Sequence, residues 1–183
     1  MKINKMSKPI KLQKTEDVET YIEDIRSSAE DAQLQLSEIS EYSAPLELFS
    51  KIKFEQIGFD PLNQQRSLNL IEQVNQTFTY LASFKAAKML FSWHSGLNEL
   101  KLNLGTQSGA DIESDYDGGI CAEVFAAVKP ENNNKLKKDI EKVSKSQAAY
   151  KYVFVMCPGC DEGPYNKCEA PKGIKIWSLG IDY

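Results

Sequence analysis

The stretch that decides the fold is "GADIESDYDGGICAEVFAAVKPENNNKLKKDIEKV", Gly109 to Val143. Its periodicity changes along its length. "ADIES" at 110–114 alternates as a strand, "DGG" at 117–119 supplies a hairpin turn, and "GICAEVFAAV" at 119–128 reads as a core strand. Pro130 stops that strand, and the asparagines of "ENNNK" suit the cap of a helix whose Leu136, Ile140 and Val143 face inward. Glu123 stands in the middle of the most apolar run. An ionised carboxylate there is costly unless a cation or hydrogen-bond donors meet it.

Working outward, "ELKLNLG" at 99–105 is a strand ending at Gly105, "YKYVFVM" at 150–156 a buried strand and "GIKIWSLG" at 173–180 the last one. Upstream, a helix runs from Ser67 to about Phe91. Ile71, Val74, Phe78 and Leu81 begin its apolar face, which continues through Ala82, Ala86, Met89 and Leu90, while Glu72, Asn75, Gln76 and Thr79 form a polar stripe. The order from Ser67 is therefore helix, strand, strand, strand, helix, strand. It describes an α/β core in which a helix links two strands that can lie parallel.

Nearer the start, Val18, Ile22, Ile25, Ala29, Ala32, Leu36 and Ile39 recur at alternating spacings of four and three along a long helix. Thr15 sits at its N-cap position, and Glu16 and Asp17 suit the positive end of its dipole. "APLELFSKIKFEQIGFDPL" at 44–62 reads as a short helix and an extended linker ending at Pro61. The expected organisation is an N-terminal basic tail and helical extension over 1–60, followed by the core over 61–183.

At 183 residues with 42% hydrophobic composition, the chain suits one core with an appendage. The net charge of -4 argues against indiscriminate binding to nucleic acid or membrane, but it hides segregation. Residues 1–14 carry five lysines and no acid, and 15–41 carry nine acids against Arg26 alone. From Lys129 to Lys151, seven lysines stand against three acids. No apolar run is long enough to span a bilayer, and the lysine-rich start lacks the apolar stretch of a secretory signal. The expected location is cytoplasmic, where four cysteines stay free or bind metal.

With an Asp on its second strand and a Glu within its third, this order resembles the PD-(D/E)XK nuclease superfamily, the restriction-endonuclease-like fold. The resemblance covers roughly Ser67 to Val155 and rests on "GADI", "AEVF" and the helix "NNKLKKDI". It implies a mixed sheet flanked by helices and a Mg²⁺- or Mn²⁺-dependent DNA endonuclease of restriction or phage-defence type. Asp111 and Glu123 would be the metal carboxylates and the backbone carbonyl of Val124 the third protein ligand. Two carboxylates on adjacent strands suit a hard divalent ion and leave positions for water and a phosphate oxygen. The alternative is that a lysine meets Glu123, or that the strand is partly exposed there. Alternation puts Glu113 and Asp115 on the face of Asp111, where they would modulate the site or lie solvated.

The superfamily expects a lysine two residues after the Glu, where this chain has Phe125. Lys129 lies six residues along, at about 3.3 Å each too far to serve. Some members supply the lysine from the following helix, which points to Lys135, with Lys138 in reserve. Glu72 resembles the acid that many members place on the first core helix, with Asn75 and Gln76 on its face; an exposed polar stripe accounts for the same residues. The lysines of 129–151 suit DNA phosphates, or simply form a charged solvent face.

"CPGCDEGPYNKC" brings Cys157, Cys160 and Cys168 into one loop. A structural Zn²⁺ site there needs a fourth ligand, for which Cys121, His94 or Glu169 are available. A thioredoxin-like role fits less well, because the pair follows a strand and leads into a Gly/Pro loop. His94, the single histidine, reads as a helix-end residue where a cation suits the dipole. Phosphate-loop, serine-elbow and dinucleotide motifs are absent. Two readings thus stand beside the nuclease: a catalytically inactive nuclease-fold module for binding or assembly, and a zinc-stabilised interaction domain. The long N-terminal helix would serve a homodimer or a partner protein.

Overall fold

Nine strands and four α-helices are found among the described residues of the computed structural model, which are 9–105, 108–131 and 134–181. They divide into two units, one made of the described residues of 9–18 and 82–181 and the other of 19–81. The chain thus leaves the first unit after Val18 and re-enters it at Ala82.

The first unit is a seven-stranded mixed sheet. Its strands are β1 (Ile10–Leu12), β4 (Leu100–Leu102), β5 (Ile112–Ser114), β6 (Ile120–Ala126), β7 (Tyr150–Met156), β8 (Gly163–Pro164) and β9 (Ile174–Ser178), ordered β1-β4-β5-β6-β7-β9-β8. Neighbours from β1 to β6 pair antiparallel. β6 and β7 then pair parallel, joined by helix α4 (Lys135–Ser144), and β9 lies parallel to β7. A parallel pair needs such a crossover, and the change of period after Pro130 marked it in the sequence.

The expected hairpin turn is a 3₁₀ turn over Tyr116–Gly118, with positive φ at Asp117 (43°), Gly118 (85°) and Gly119 (98°). Glycine takes the last two at no steric cost. Their carbonyls accept the N–H groups of Ala149 and Tyr150, which sets β7 beside β6. One sheet face carries Cys121, Glu123 and Phe125 of β6, Val153 and Val155 of β7, and Ile174 and Ile176 of β9. Leu136 and Val143 of α4 join that core, with Ile140 partly buried against it, as expected. On the other face Trp93 packs against Tyr152, Phe154 and Trp177.

Four strands were not foreseen. β1 falls within what reads as a basic tail; residues 1–8 of that tail lie outside the described residues. β8 is a Gly-Pro pair too short to show a period, and β2 (Gly58–Asp60) and β3 (Asn63–Leu68) belong to the other unit. The cap of α4 is Asn134, in left-handed conformation with no side-chain cap bond; Asn132 and Asn133 lie outside the described residues.

The second unit contains most of α1 (Thr15–Tyr42), α2 (Pro45–Phe54), a two-stranded antiparallel ribbon of β2 (Gly58–Asp60) and β3 (Asn63–Leu68), and the first half of α3 (Leu70–Trp93). The stretch read as a linker ending at Pro61 thus contains β2, while β3 takes up Ser67, where the helix was expected to begin, and α3 starts at Leu70. Thr15 is the first helical residue of α1 rather than its cap, and the Asp17 carboxylate accepts the N–H groups of Gln13 and Lys14. The apolar stripes are also displaced. Ser28 is buried on α1 where Ala29 is exposed, and Gln73 and Tyr80 are buried on α3 where Ile71 and Val74 are half exposed.

Hydrogen bonding explains the displacement. Gln73 Nε2 donates to the carbonyl and Oγ of Ser28, and its Oε1 accepts the N–H of Phe59. Asp60, 4% exposed, takes Arg66 at 2.8 Å, the Tyr80 hydroxyl at 3.1 Å and the Leu62 N–H at 3.0 Å. Satisfied in this way, the polar groups are buried without an unpaired atom. A Cβ at Gly58 would strike Gln73 Oε1, so glycine is required for this approach.

Candidate active site

β5, β6 and α4 position a charged cluster on the α4 face of the sheet. Ile112 pairs with Ala122 across β5 and β6, so Asp111, one residue earlier, comes level with Glu123. Its carbonyl accepts the Asn103 N–H at 2.8 Å, and its Oδ2 accepts the Val124 N–H at 2.8 Å. The two expected carboxylates are thus brought together, Asp111 from the residue just before β5 and Glu123 from within β6.

α4 adds three charges at helical spacing, Lys135, Asp139 and Lys142. Lys142 Nζ lies 2.7 Å from Oε1 of Glu123 and forms an ion pair with it. Lys135 Nζ lies 2.8 Å from Oδ1 of Asp139 and 5.7 Å from the centroid of the Phe125 ring. Phe125, at the superfamily's lysine position, is buried in the core beneath α4. Lys135 therefore does reach the cluster, but the lysine on Glu123 is Lys142. Lys138 is exposed.

Burial and mutual repulsion set the protonation of these groups. Burial pushes Glu123 up to about 7; Lys142 opposes the rise, and the negative charges of Asp111 and Asp139 add to it. Asp111 is raised by burial against the Val124 N–H and both lysines. Asp139 is raised by burial and by Asp111, and its Oδ2 is buried without a partner. Burial would lower Lys142, but its pairing with Glu123 and the nearby aspartates leaves it raised. Three acids against two lysines leave the cluster short of positive charge.

The other sequence candidates have structural partners. Burial would raise Glu113, yet the Ala110 N–H, the Asn103 amide and Lys101 together hold it below its usual range, and it fixes the turn before β5. Asp115 is exposed. Glu72 belongs to the second unit and closes a capping box on α3: Asn69 Oδ1 accepts its N–H at 2.8 Å, and its Oε2 accepts the Asn69 N–H at 3.4 Å. His94 sits just past α3, but it is buried against the Tyr152 hydroxyl at 2.8 Å. Burial and Lys175 lower its pKa, so it is not the cation its helix-end position suggested.

All four cysteines are free thiols. Cys157 and Cys160 lie with sulfurs 2.9 Å apart, and Cys168 packs on the same cluster. Among the described residues, no three His, Cys, Asp or Glu side chains form a group placed to hold a metal ion. Asp111 and Glu123 nonetheless match Mg²⁺ in donor type, since that ion is usually held by one or two carboxylates with water completing its shell. The unpartnered Asp139 oxygen and the three raised acids mark a place where a cation would be favoured.

Asp139 and Lys142 were missed in the sequence. The signal was their spacing from Lys135, which places all three beside the inward stripe of Leu136, Ile140 and Val143. No helix among the described residues is long and apolar enough to cross a membrane. Compared with protein-family models, with characterised proteins and with solved structures, the chain finds no match in any of the three.

Proposed function

We propose that the protein is a Mg²⁺-dependent phosphodiesterase acting on DNA, with its centre at Asp111, Glu123 and Lys142. The observation that carries this reading is the conjunction of Asp111, just before β5, and Glu123 of β6 with a lysine 2.7 Å from Glu123 delivered from the crossover helix. Asp111 and Glu123, with the carbonyl of Val124, would hold the ion. Bound there, Mg²⁺ supplies Lewis acidity to a phosphate oxygen and lowers the pKa of water. Lys142, half exposed, offers an ammonium that orients water and stabilises charge developing on the phosphate. Lys135 and Asp139 fix a second charge alongside it. The exposed lysines Lys129, Lys137, Lys138 and Lys145 suit a phosphate backbone and give salt-dependent affinity without reading bases.

The test is nicking of supercoiled plasmid by the full chain in Mg²⁺, Mn²⁺ or chelator. Cleavage in either metal, lost in chelator and reduced at least about 100-fold in Asp111→Asn, is expected. Equal nicking by the wild type and Asp111→Asn would assign the activity to a contaminant and end this reading.

A second reading has its own observation. α2 has no buried residue and exposes Leu46, Phe49 and Phe54, and Phe125 replaces the motif lysine. An assembly module that kept the fold and lost cleavage fits both facts. Concentration-dependent self-association without nicking would favour it.

A further inference from the structure

The loop after β7 builds an asymmetric pair of thiols. Cys157 is 1% exposed and its S–H donates to Cys160 Sγ at 2.9 Å. Cys160 is partly exposed and accepts a second donor, the ammonium of Lys167, at 3.4 Å. Both donors converge on the same sulfur, which is also the more exposed of the pair and so the one a reagent from solution meets first. The lysine is held in place by the rest of the loop. Its Nζ lies 6.0 Å from the centroid of the Tyr165 ring, and Tyr165 is buried, donates its hydroxyl to Glu131 at 3.1 Å and bonds its N–H to Ile176 of β9. β8, paired with β9, anchors the same segment.

We propose that Cys157 and Cys160 form a redox-active dithiol, Cys160 attacking and Cys157 resolving, which low-molecular-weight disulfides oxidise to a Cys157–Cys160 disulfide. In the first step the Cys160 thiolate attacks one sulfur of the small disulfide RSSR; a Cys160–SR bond forms and RS⁻ leaves. Cys157 then gives its proton to that RS⁻ and attacks Cys160 Sγ, forming the internal disulfide and expelling the second RS⁻, which takes a proton from water. Two protein thiols are oxidised and one small disulfide is reduced to two thiols. Burial and the neighbouring Cys160 push Cys157 up to about 12, which keeps it protonated until the mixed disulfide forms. Cys168 is raised by burial and by Glu131, and it has no place in the exchange.

A zinc site is the competing use of the same sulfurs. Four-coordinate Zn²⁺ at about 2.3 Å from each thiolate holds its sulfurs roughly 3.8 Å apart, wider than the 2.9 Å seen here. The dithiol rests on neither the nuclease reading nor any metal.

The experiment exposes the reduced full chain to oxidised glutathione, blocks remaining thiols with an alkylating agent at low pH, and maps the products by peptide mass spectrometry. The wild type should lose two hydrogens from the peptide containing both Cys157 and Cys160, while Cys168 is alkylated. Cys157→Ser should instead accumulate glutathione on Cys160. Lys167→Ala, an exposed change that leaves the core intact, should slow formation of the internal disulfide by at least about threefold. The proposal is overturned if Cys168 is modified as fast as Cys160 in the wild type, or if Lys167→Ala reacts at the wild-type rate. It is equally overturned if one equivalent of Zn²⁺ binds the reduced protein and protects all three loop cysteines.

Discussion

Lys142 reaches Glu123 from two turns along α4, and the contact joins a carboxylate 2% exposed to a lysine side chain that is 50% exposed. The pair is therefore unequal: Lys142 retains access to water, and Glu123 has little. This asymmetry decides what each substitution does.

Glu123 should make the fold less stable as pH rises. Its folded pKa of about 7 exceeds the ordinary value of 4.5, so its contribution is fully present below pH 4.5 and is lost as pH climbs through about 7. Integrated, the loss is at most roughly 3 kcal/mol. Asp111 and Asp139, also raised, act in the same direction, whereas His94, lowered, acts in the opposite one. Glu123→Gln removes only the first contribution, so the stability difference, variant minus wild type, should grow between pH 5 and pH 8 in urea titrations. A difference constant with pH would show that Glu123 is not titrating there.

Lys142→Ala should be worse than Glu123→Gln for the metal-free fold. It leaves Glu123 buried without its cation, at a cost of about 1–3 kcal/mol after allowing for the exposure of the lysine. Protonating Glu123 relieves that cost, so the variant should recover at pH 5. In the plasmid assay, Lys142→Ala should lose about 100-fold or more in rate, with Lys135→Ala less affected and Lys138→Ala changed only in its salt dependence. Equal losses at all three positions would mean that the lysines serve DNA binding alone.

Mg²⁺ should stabilise the wild type by binding only the folded chain, by about 1.4 kcal/mol at ten times its dissociation constant. Thermal melts with Mg²⁺ and with chelator should differ for the wild type and coincide for Asp111→Asn. Retention of the shift in that variant would place the ion elsewhere.

In the second unit, Asp60→Ala should cost about 2–3 kcal/mol, less than a fully buried pair because Arg66 stays partly solvated. It removes the partner of Arg66 and leaves the Tyr80 hydroxyl and the Leu62 N–H without their acceptor. Tyr80→Phe removes one donor from a carboxylate that keeps two others, and should cost about 1 kcal/mol. Hydrogen exchange that opens 58–68 selectively in Asp60→Ala would locate the damage in the ribbon.

The sheet from β4 to β9 was legible because its longer strands are apolar runs bounded by Gly, Pro and a change of period. β1 and β3 were not. "IKL" is too short to show a period and is embedded among lysines, and "NQQRSL" exposes all but its last residue. In the site, Glu123 was conspicuous as an acid inside an apolar run, whereas Asp111, in the polar stretch "GADIESDYD", came forward only through the resemblance. The identity of the lysine could not be found, since Lys135, Lys138 and Lys142 differ only in their angle around α4 relative to β6, which packing fixes. The burial of Gln73 and Tyr80 in place of Ile71 and Val74 was hidden for a related reason. A polar side chain is buried when partners distant in sequence await it, and hydropathy does not record them.

The pairing of β1 with β4 also sets an order of events during synthesis. Ile10 must wait for Leu102, so the edge of the sheet cannot close until some ninety residues, including the whole of 19–81, have emerged. At typical elongation rates this is a delay of about 5–20 s. The second unit can fold in that interval from its own contacts, whereas the first depends on a closure of high sequence separation and should be the slower to form. Nascent chains halted before residue 100 should therefore protect the ribbon at 58–68 from protease while leaving 9–14 open to cleavage.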